Sequence, residues 1–243
     1  MLRTKACFFC VITLILALFV VYKTVDATGL DVDSHTVLLL QFNDNFNDDS
    51  LHSNHGKAVG SIKFEIEDEE RVALFEDGYI EIPNNEDGSL VFGPESTMTI
   101  EMWVKPSRLI GYITLLKKYT GGNYRIQFSY NNLSYQFYAK GNWNTFIDES
   151  TSFKPNIWTH IAITHDSSKG VISFFKDGKL TYRVNTEYQL VEDRSKQPLY
   201  IGGTGSREMF YGCMDEIRLS NCLRYDPEQK ASLGEQVFHP NKR

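Results

Sequence analysis

The chain has 243 residues, 42% of them hydrophobic and 23% charged, a balance that describes a globular protein and excludes disorder, collagen and a multi-span membrane protein. Its net charge of −6, with no run of clustered Lys and Arg, excludes a nucleic-acid partner, because phosphate binding needs a basic surface. Aromatic residues make up 13%, and rings suit a half-buried pleated surface, so the composition leans toward β-structure.

The N-terminus reads as an export signal. Arg3 and Lys5 precede an apolar run over residues 6–22, and Val25 and Ala27 occupy the positions where a signal peptidase needs small residues. Cleavage is expected after Ala27, so that residues 1–27 form the signal and 28–36 a short lead-in. The run also stands at the short end of what crosses a bilayer, about 17 to 25 residues, so an uncleaved membrane anchor is the alternative. Either way the rest of the chain is expected outside the cytosol, secreted or extracellular, with no membrane span once the signal is cleaved. Cys7 and Cys10 lie inside the run, where a redox or metal role is not expected.

From residue 36 onward, short β-like runs are cut by Gly, Asn, Asp and Pro. The expected strands are residues 37–42, 73–75, 79–82, 98–105, 112–117, 124–130, 134–139, 145–147, 158–165, 171–176, 179–184, 198–202 and 211–219. Two of them show period-two patterning: Met98, Ile100 and Met102 alternate with Thr97, Thr99 and Glu101, and Tyr124, Ile126, Phe128 and Tyr130 alternate with Arg125, Gln127 and Ser129. Asn131-Asn132 and Asp177-Gly178 are expected two-residue hairpin turns, since both positions of a type I′ turn need positive φ. The pattern predicts an all-β fold, a two-sheet antiparallel β-sandwich over residues 37–225. Residues 226–243 form a C-terminal tail holding the one helical candidate, residues 227–236.

Cys213 and Cys222 are an even pair in an oxidising compartment, which suggests a disulfide. If residues 213–219 form a straight strand, however, a rise of about 3.3 Å per residue carries the chain far beyond the roughly 4.4 to 6.8 Å that a bridge spans. The bridge then needs a chain reversal at Ser220-Asn221; two separately buried thiols are the alternative.

Trp103 and Trp158 fall on alternating strands and are expected in the interior. Trp143 belongs to no apolar alternation. Sugar recognition wants an aromatic face with amide or carboxylate groups beside it to fix hydroxyls, and Tyr138, Asn142, Trp143 and Asn144 supply that combination. Tyr138 alternates with an inward Phe137, Gly141 frees the backbone, and the two asparagines flank the indole in sequence. The alternative is a ring that only covers the end of the sandwich. Asn132-Leu133-Ser134 is the only glycosylation sequon and sits at an expected hairpin tip, so a glycan is expected on Asn132. No G-x-S-x-G string is present, and residues 202–206 lack the third glycine and the helix of a phosphate loop. His52 and His55 share a polar loop with Asp48 and Asp49 and read as solvated.

Several segments, in order, carry a family resemblance. Leu39-Leu40-Gln41-Phe42 with the following Asn43-Asp44-Asn45 loop, residues 98–106, Trp158-Thr159-His160-Ile161-Ala162, Phe175-Lys176-Asp177-Gly178-Lys179, Leu199-Tyr200-Ile201-Gly202-Gly203 and the closing Phe210 to Leu219 segment resemble the LamG-like jelly-roll domains of the concanavalin A-like lectin/glucanase superfamily. The resemblance implies a jelly roll. It also implies a structural Ca²⁺, held by Asn43 or Asp44 with Asp48 from the opening loop, a backbone carbonyl near Gly78, and Asp215 of the closing strand. Such hard oxygen ligands, at about 2.3 to 2.6 Å, suit Ca²⁺ and not Zn²⁺. Asn43 stands where the family usually has Asp. Asp215 and Glu216 are adjacent, so alternation turns one inward, where a buried carboxylate needs a metal, Arg218 or backbone donors as partner.

Catalytic relatives in this superfamily are glycoside hydrolases with E-x-D-x-E strands. The nearest string here, Glu65-Ile66-Glu67-Asp68-Glu69-Glu70, has Glu where that pattern needs Asp and reads as an exposed acidic loop. The pentraxin signature of the same superfamily is absent. The expected product is therefore a binding module and not an enzyme, with a glycan or an extracellular protein as partner. A secreted glycoside hydrolase with diverged acids and a purely structural surface protein are the alternatives.

Overall fold

A computed structural model describes residues 29–118, 124–192, 197–205 and 207–225. The expected signal, its cleavage point and the tail at 226–243 lie outside the described residues. Those residues form thirteen strands and no helix. The first six are β1 (Thr36–Leu40), β2 (Lys57–Glu67), β3 (Glu70–Ile82), β4 (Thr97–Pro106), β5 (Tyr112–Lys118) and β6 (Tyr124–Ser129). Then come β7 (Asn132–Ala139), β8 (Asn142–Asp148), β9 (Thr159–Asp166), β10 (Val171–Lys176), β11 (Lys179–Asn185), β12 (Leu199–Ile201) and β13 (Gly212–Ser220).

All pairings are antiparallel and run in the order β11-β10-β9-β4-β13-β3-β12-β5-β6-β7-β8, with β1 added to β13 and β2 to β3. The chain is the expected jelly-roll sandwich, and its two layers are continuous through one strand. The first part of β13 (Gly212, Cys213 and Met214) pairs with β3, whereas the part from Ile217 to Ser220 pairs with β1. The ladder to β4 shifts between Asp215 and Arg218, and Glu216 takes a φ of 49°. This bulge breaks strict alternation. Both acids are consequently buried: Asp215 accepts the Glu216 N–H, and Glu216 accepts the Leu30 N–H at 3.0 Å.

The structure corrects three local expectations. The string at 65–70 is not a loop: Glu65 and Glu67 end β2, Asp68 and Glu69 make a turn with φ of 50° and 70°, and Glu70 opens β3. The runs 73–75 and 79–82 are one strand, broken only by a register shift opposite Ser61 and Ile62. The β6–β7 turn is Tyr130-Asn131, with Ser129 facing Asn132, so Asn132 opens β7 and is not at the tip. Asp177-Gly178 turns as expected, with both φ positive.

Between the layers, residues such as Ile100, Met102, Phe128, Phe137, Phe174 and Leu219 form one core. Phe137 stacks on Phe146 with ring centroids 5.8 Å apart and lies 4.9 Å from the His165 ring. His165 is fully buried, its Nδ1 3.0 Å from the Tyr135 hydroxyl. Its Nε2 has no hydrogen-bond partner among the described residues.

The outer face of β4 and β13, with His160 of β9, is sealed. Residues 29–36 and 221–225 cross it and close a buried polar network. Arg218 grips Glu101 through Nε at 2.8 Å and Nη2 at 2.7 Å and donates to the Asp31 carbonyl. The Tyr225 hydroxyl donates to the other Glu101 oxygen at 2.7 Å, with His160 Nε2 3.4 Å from it. Arg224 holds Asp33 in a bidentate pair at 2.7 and 2.9 Å. Burial opposes ionisation of Glu101, but the Arg218 charge and the bonds from His160 and Tyr225 prevail and hold its pKa at about 2. Trp103 is buried on this outer face, its ring 5.4 Å from that of His160, and not in the core between the layers.

Candidate ligand-binding face

The opposite layer leaves its outer face open. Tyr124, Ile126 and Phe128 of β6 and Leu133, Tyr135 and Phe137 of β7 point into the core, so Arg125, Gln136 and Tyr138 point out. Tyr138 stands opposite Trp143 of β8, and their rings meet edge to face at 5.7 Å. Trp143 is 42% exposed. Lys140-Gly141 makes the turn that sets this register, with φ of 48° and 81°.

Polar groups run beside the rings as a fixed row. Arg125 donates to the Gln136 carbonyl through Nε at 2.9 Å and to Glu208, from the loop before β13, through Nη1 at 2.9 Å. The Gln136 amide in turn donates to Thr145 Oγ1 at 3.0 Å. The Arg125 guanidinium also lies 6.0 Å from the Trp143 ring centroid. Glu208, Arg125, Gln136 and Thr145 thus form a connected strip next to an exposed indole.

The structure therefore unites Tyr138 and Trp143 but separates them from the two expected asparagines. Asn142 and Asn144 face Ala139 and Phe137 on the other side of β8, and Asn144 donates back to the Ala139 and Asn142 carbonyls. Residues adjacent in sequence point to opposite faces of a strand. The strip that replaces them was partly visible in sequence, because the β6 alternation turns Arg125 outward. Only the register brings Gln136 and Thr145 beside it.

The residues expected to hold Ca²⁺ do not fit that ion. Asp48 Oδ1 accepts the Leu39 and Ser50 N–H groups, and Oδ2 accepts the Ser50 hydroxyl and the Asn54 N–H, so both oxygens are occupied in shaping the opening loop. Asp44 is exposed and pairs with Arg71 at 3.0 Å, and exposed Asn43 bonds Gln41. Gly78 lies within β3 opposite Gly60, and Asp215 accepts the Glu216 N–H. Among the described residues no group of three or more His, Cys, Asp or Glu is placed to hold a metal ion.

Two further expectations meet the geometry. The Asn132 amide nitrogen, which would carry a glycan, is half-buried and donates to the Asp148 and Thr151 carbonyls at 3.1 and 2.6 Å. Cys213 and Cys222 are not bridged: both are free, buried thiols at opposite ends of the long β13 run, because no reversal forms before Ser220. Burial and the nearby Glu67 charge push the Cys213 pKa up to about 12, and burial pushes Cys222 to about 11.

A laminin G-type family model of the concanavalin A-like lectin/glucanases superfamily matches residues 75–228. The chain belongs to that superfamily. No curated protein matches it in sequence. Among solved structures, the binding domain of Paraclostridial Mosquitocidal Protein 1 superposes with a TM-score of 0.68 at 17% identity, over 82% of this chain and 51% of that one. Domain 4 of AbnA, a GH43 extracellular arabinanase from Geobacillus stearothermophilus, in complex with arabinotriose, superposes with a TM-score of 0.65 at 19% identity, over 83% and 98%. The binding domain of Botulinum neurotoxin serotype G gives 0.63 at 12% identity, over 82% and 50%. The superfamily member thus spans about half the length of the two toxin binding domains and nearly all of the arabinanase domain. Among its described residues, no helix is long and apolar enough to cross a membrane.

Proposed function

We propose that the chain is an exported, non-catalytic module that binds an oligosaccharide on the outer face of β6, β7 and β8. The observation that carries this reading is the Trp143 ring, exposed on a strand face and braced by Tyr138. An exposed indole offers its face to sugar C–H groups, and the Glu208–Arg125–Gln136–Thr145 strip offers polar atoms already fixed in place for hydroxyls. The arabinanase domain, of the same fold and nearly the same extent, was solved with arabinotriose, which supports an oligosaccharide ligand.

The acidic string that most resembles a hydrolase strand supports the non-catalytic part. Glu67 accepts Lys105 Nζ at 2.8 Å and Trp158 Nε1 at 2.9 Å, ties β2 to its neighbours, and shares a contact with the Cys213 thiol. Burial raises its pKa, but these donors outweigh that and hold it below the usual carboxylate range, the wrong direction for a general acid. Glycan-array screening of the protein, with arabinotriose included, tests the reading. Binding to an oligosaccharide that Trp143→Ala weakens at least tenfold is the expected result; absence of any glycan binding would overturn it.

A further inference from the structure

A pocket opens on the other layer, at the outer face of β9, β10 and β11. Its floor is a cross-strand row in which Thr164 stands opposite Ser173 and Ser173 opposite Arg183. Their neighbours Ile163, Ile172 and Phe174 point into the core, so this row points out. Val171, Phe175 and Leu223 wall a cavity of about 190 Å³ around it. At about 30 Å³ per water, that space holds roughly six waters, or one molecule of monosaccharide size.

The polar groups of the floor are held in place with bonding capacity to spare. Ser173 Oγ accepts Arg183 Nε at 3.0 Å, which fixes the guanidinium and leaves its two Nη groups without a partner among the described residues. Thr164 is only 6% exposed, and its hydroxyl has no hydrogen-bond partner among the described residues. Thr164 lines the cavity, so its hydroxyl is left to bond a ligand there.

Charge selects the ligand. Asp166 in the pocket wall is offset by Lys169, whose Nζ lies 3.3 Å away, and it also accepts the Ser168 hydroxyl and the Lys169 N–H. The uncompensated charge is the single positive charge of Arg183. That matches a carboxylate, whose two oxygens fit the two free Nη groups of a guanidinium. A phosphate dianion would place a surplus negative charge near Asp166.

We propose that this pocket is a binding site for a small hydroxylated carboxylate of the sugar-acid class, with its carboxylate on Arg183 and its hydroxyls on Thr164 and Ser173. The site is separate from the Trp143 face and does not depend on it. The test is calorimetric titration of the full chain with D-glucuronate, using glucose and inorganic phosphate as comparison ligands. Saturable glucuronate binding is expected, with glucose and phosphate each at least tenfold weaker. Arg183→Gln should weaken glucuronate at least tenfold, Thr164→Val severalfold, and Trp143→Ala not at all. Arg183→Lys keeps the charge without the fork and should also weaken binding, so a folding defect in one variant cannot mimic the result. The proposal is overturned by an absence of saturable glucuronate binding, by equal binding of glucose or phosphate, by binding that survives the Arg183 variants, or by its loss in Trp143→Ala.

Discussion

Two outer sheet faces of this sandwich carry the same kind of residue and do different work. On β4, β9 and β13, Glu101, His160 and Arg218 occupy outward positions, as Arg125, Gln136 and Tyr138 do on β6 and β7. The first set is sealed beneath residues 29–36 and 221–225, so its charges must satisfy one another, and they lock both flanking segments onto the sheet. The second set is uncovered: Trp143 is exposed, and Arg125, Gln136 and Thr145 bond one another along the surface. Cover, and not strand patterning, separates the two faces.

The difference breaks most visibly on the sealed face. Arg218→Met leaves Glu101 buried without its main cation, and removing one partner of such a pair costs about 3–5 kcal/mol. A large drop in the urea midpoint is expected; a change below about 1 kcal/mol would mean that the network adds little. The next effect comes from the core between the faces. Burial lowers the His165 pKa from 6.5 to about 4, against a smaller opposing effect of Asp166. The unfolded chain therefore takes up this proton first as pH falls. The neutral form's contribution is complete above pH 6.5 and is lost between about 6.5 and 4, by about 3 kcal/mol. Urea unfolding at pH 7 and pH 4 should show that loss, and His165→Gln should flatten it.

On the open face the expected stability effects are small and the binding effects large. Trp143→Ala should move the melting temperature by only a few degrees, because the side chain is exposed on an outer face, while weakening oligosaccharide binding at least tenfold. A loss of several kcal/mol would show that the ring is a structural cover. The smallest effect concerns the thiols. With Cys213 and Cys222 free, added reductant should leave the melting temperature where it is, whereas a bridge would make it fall.

Alternation in β4 and β6 made the sandwich legible, since period two survives wherever one face is core. It failed at β2, whose residues are exposed or half-buried along most of their length and whose turn, Asp68-Glu69, lacks the glycine or asparagine that marks a type I′ pair. It failed again at Asp215 and Glu216, where the bulge buries both acids and sends Arg218 to Glu101 instead. Trp143 stood out as a ring outside any apolar pattern, and Tyr138 followed from Phe137. Asn142 and Asn144 were misplaced because nearness in sequence was read as nearness on one face. The sealing segments have no periodicity at all, so the covered network on the outer sheet could only come from three dimensions.

The indole N–H resonances give the most direct test of the open face as the recognition surface. The chain has three tryptophans: Trp103 buried beside His160, Trp158 bound to Glu67, and Trp143 exposed. Titration of the ¹⁵N-labelled protein with arabinotriose should shift the Trp143 indole signal in a saturable way and leave the other two in place. Movement of the Trp103 or Trp158 signal with Trp143 unmoved, or no movement of any of the three, would contradict the assignment.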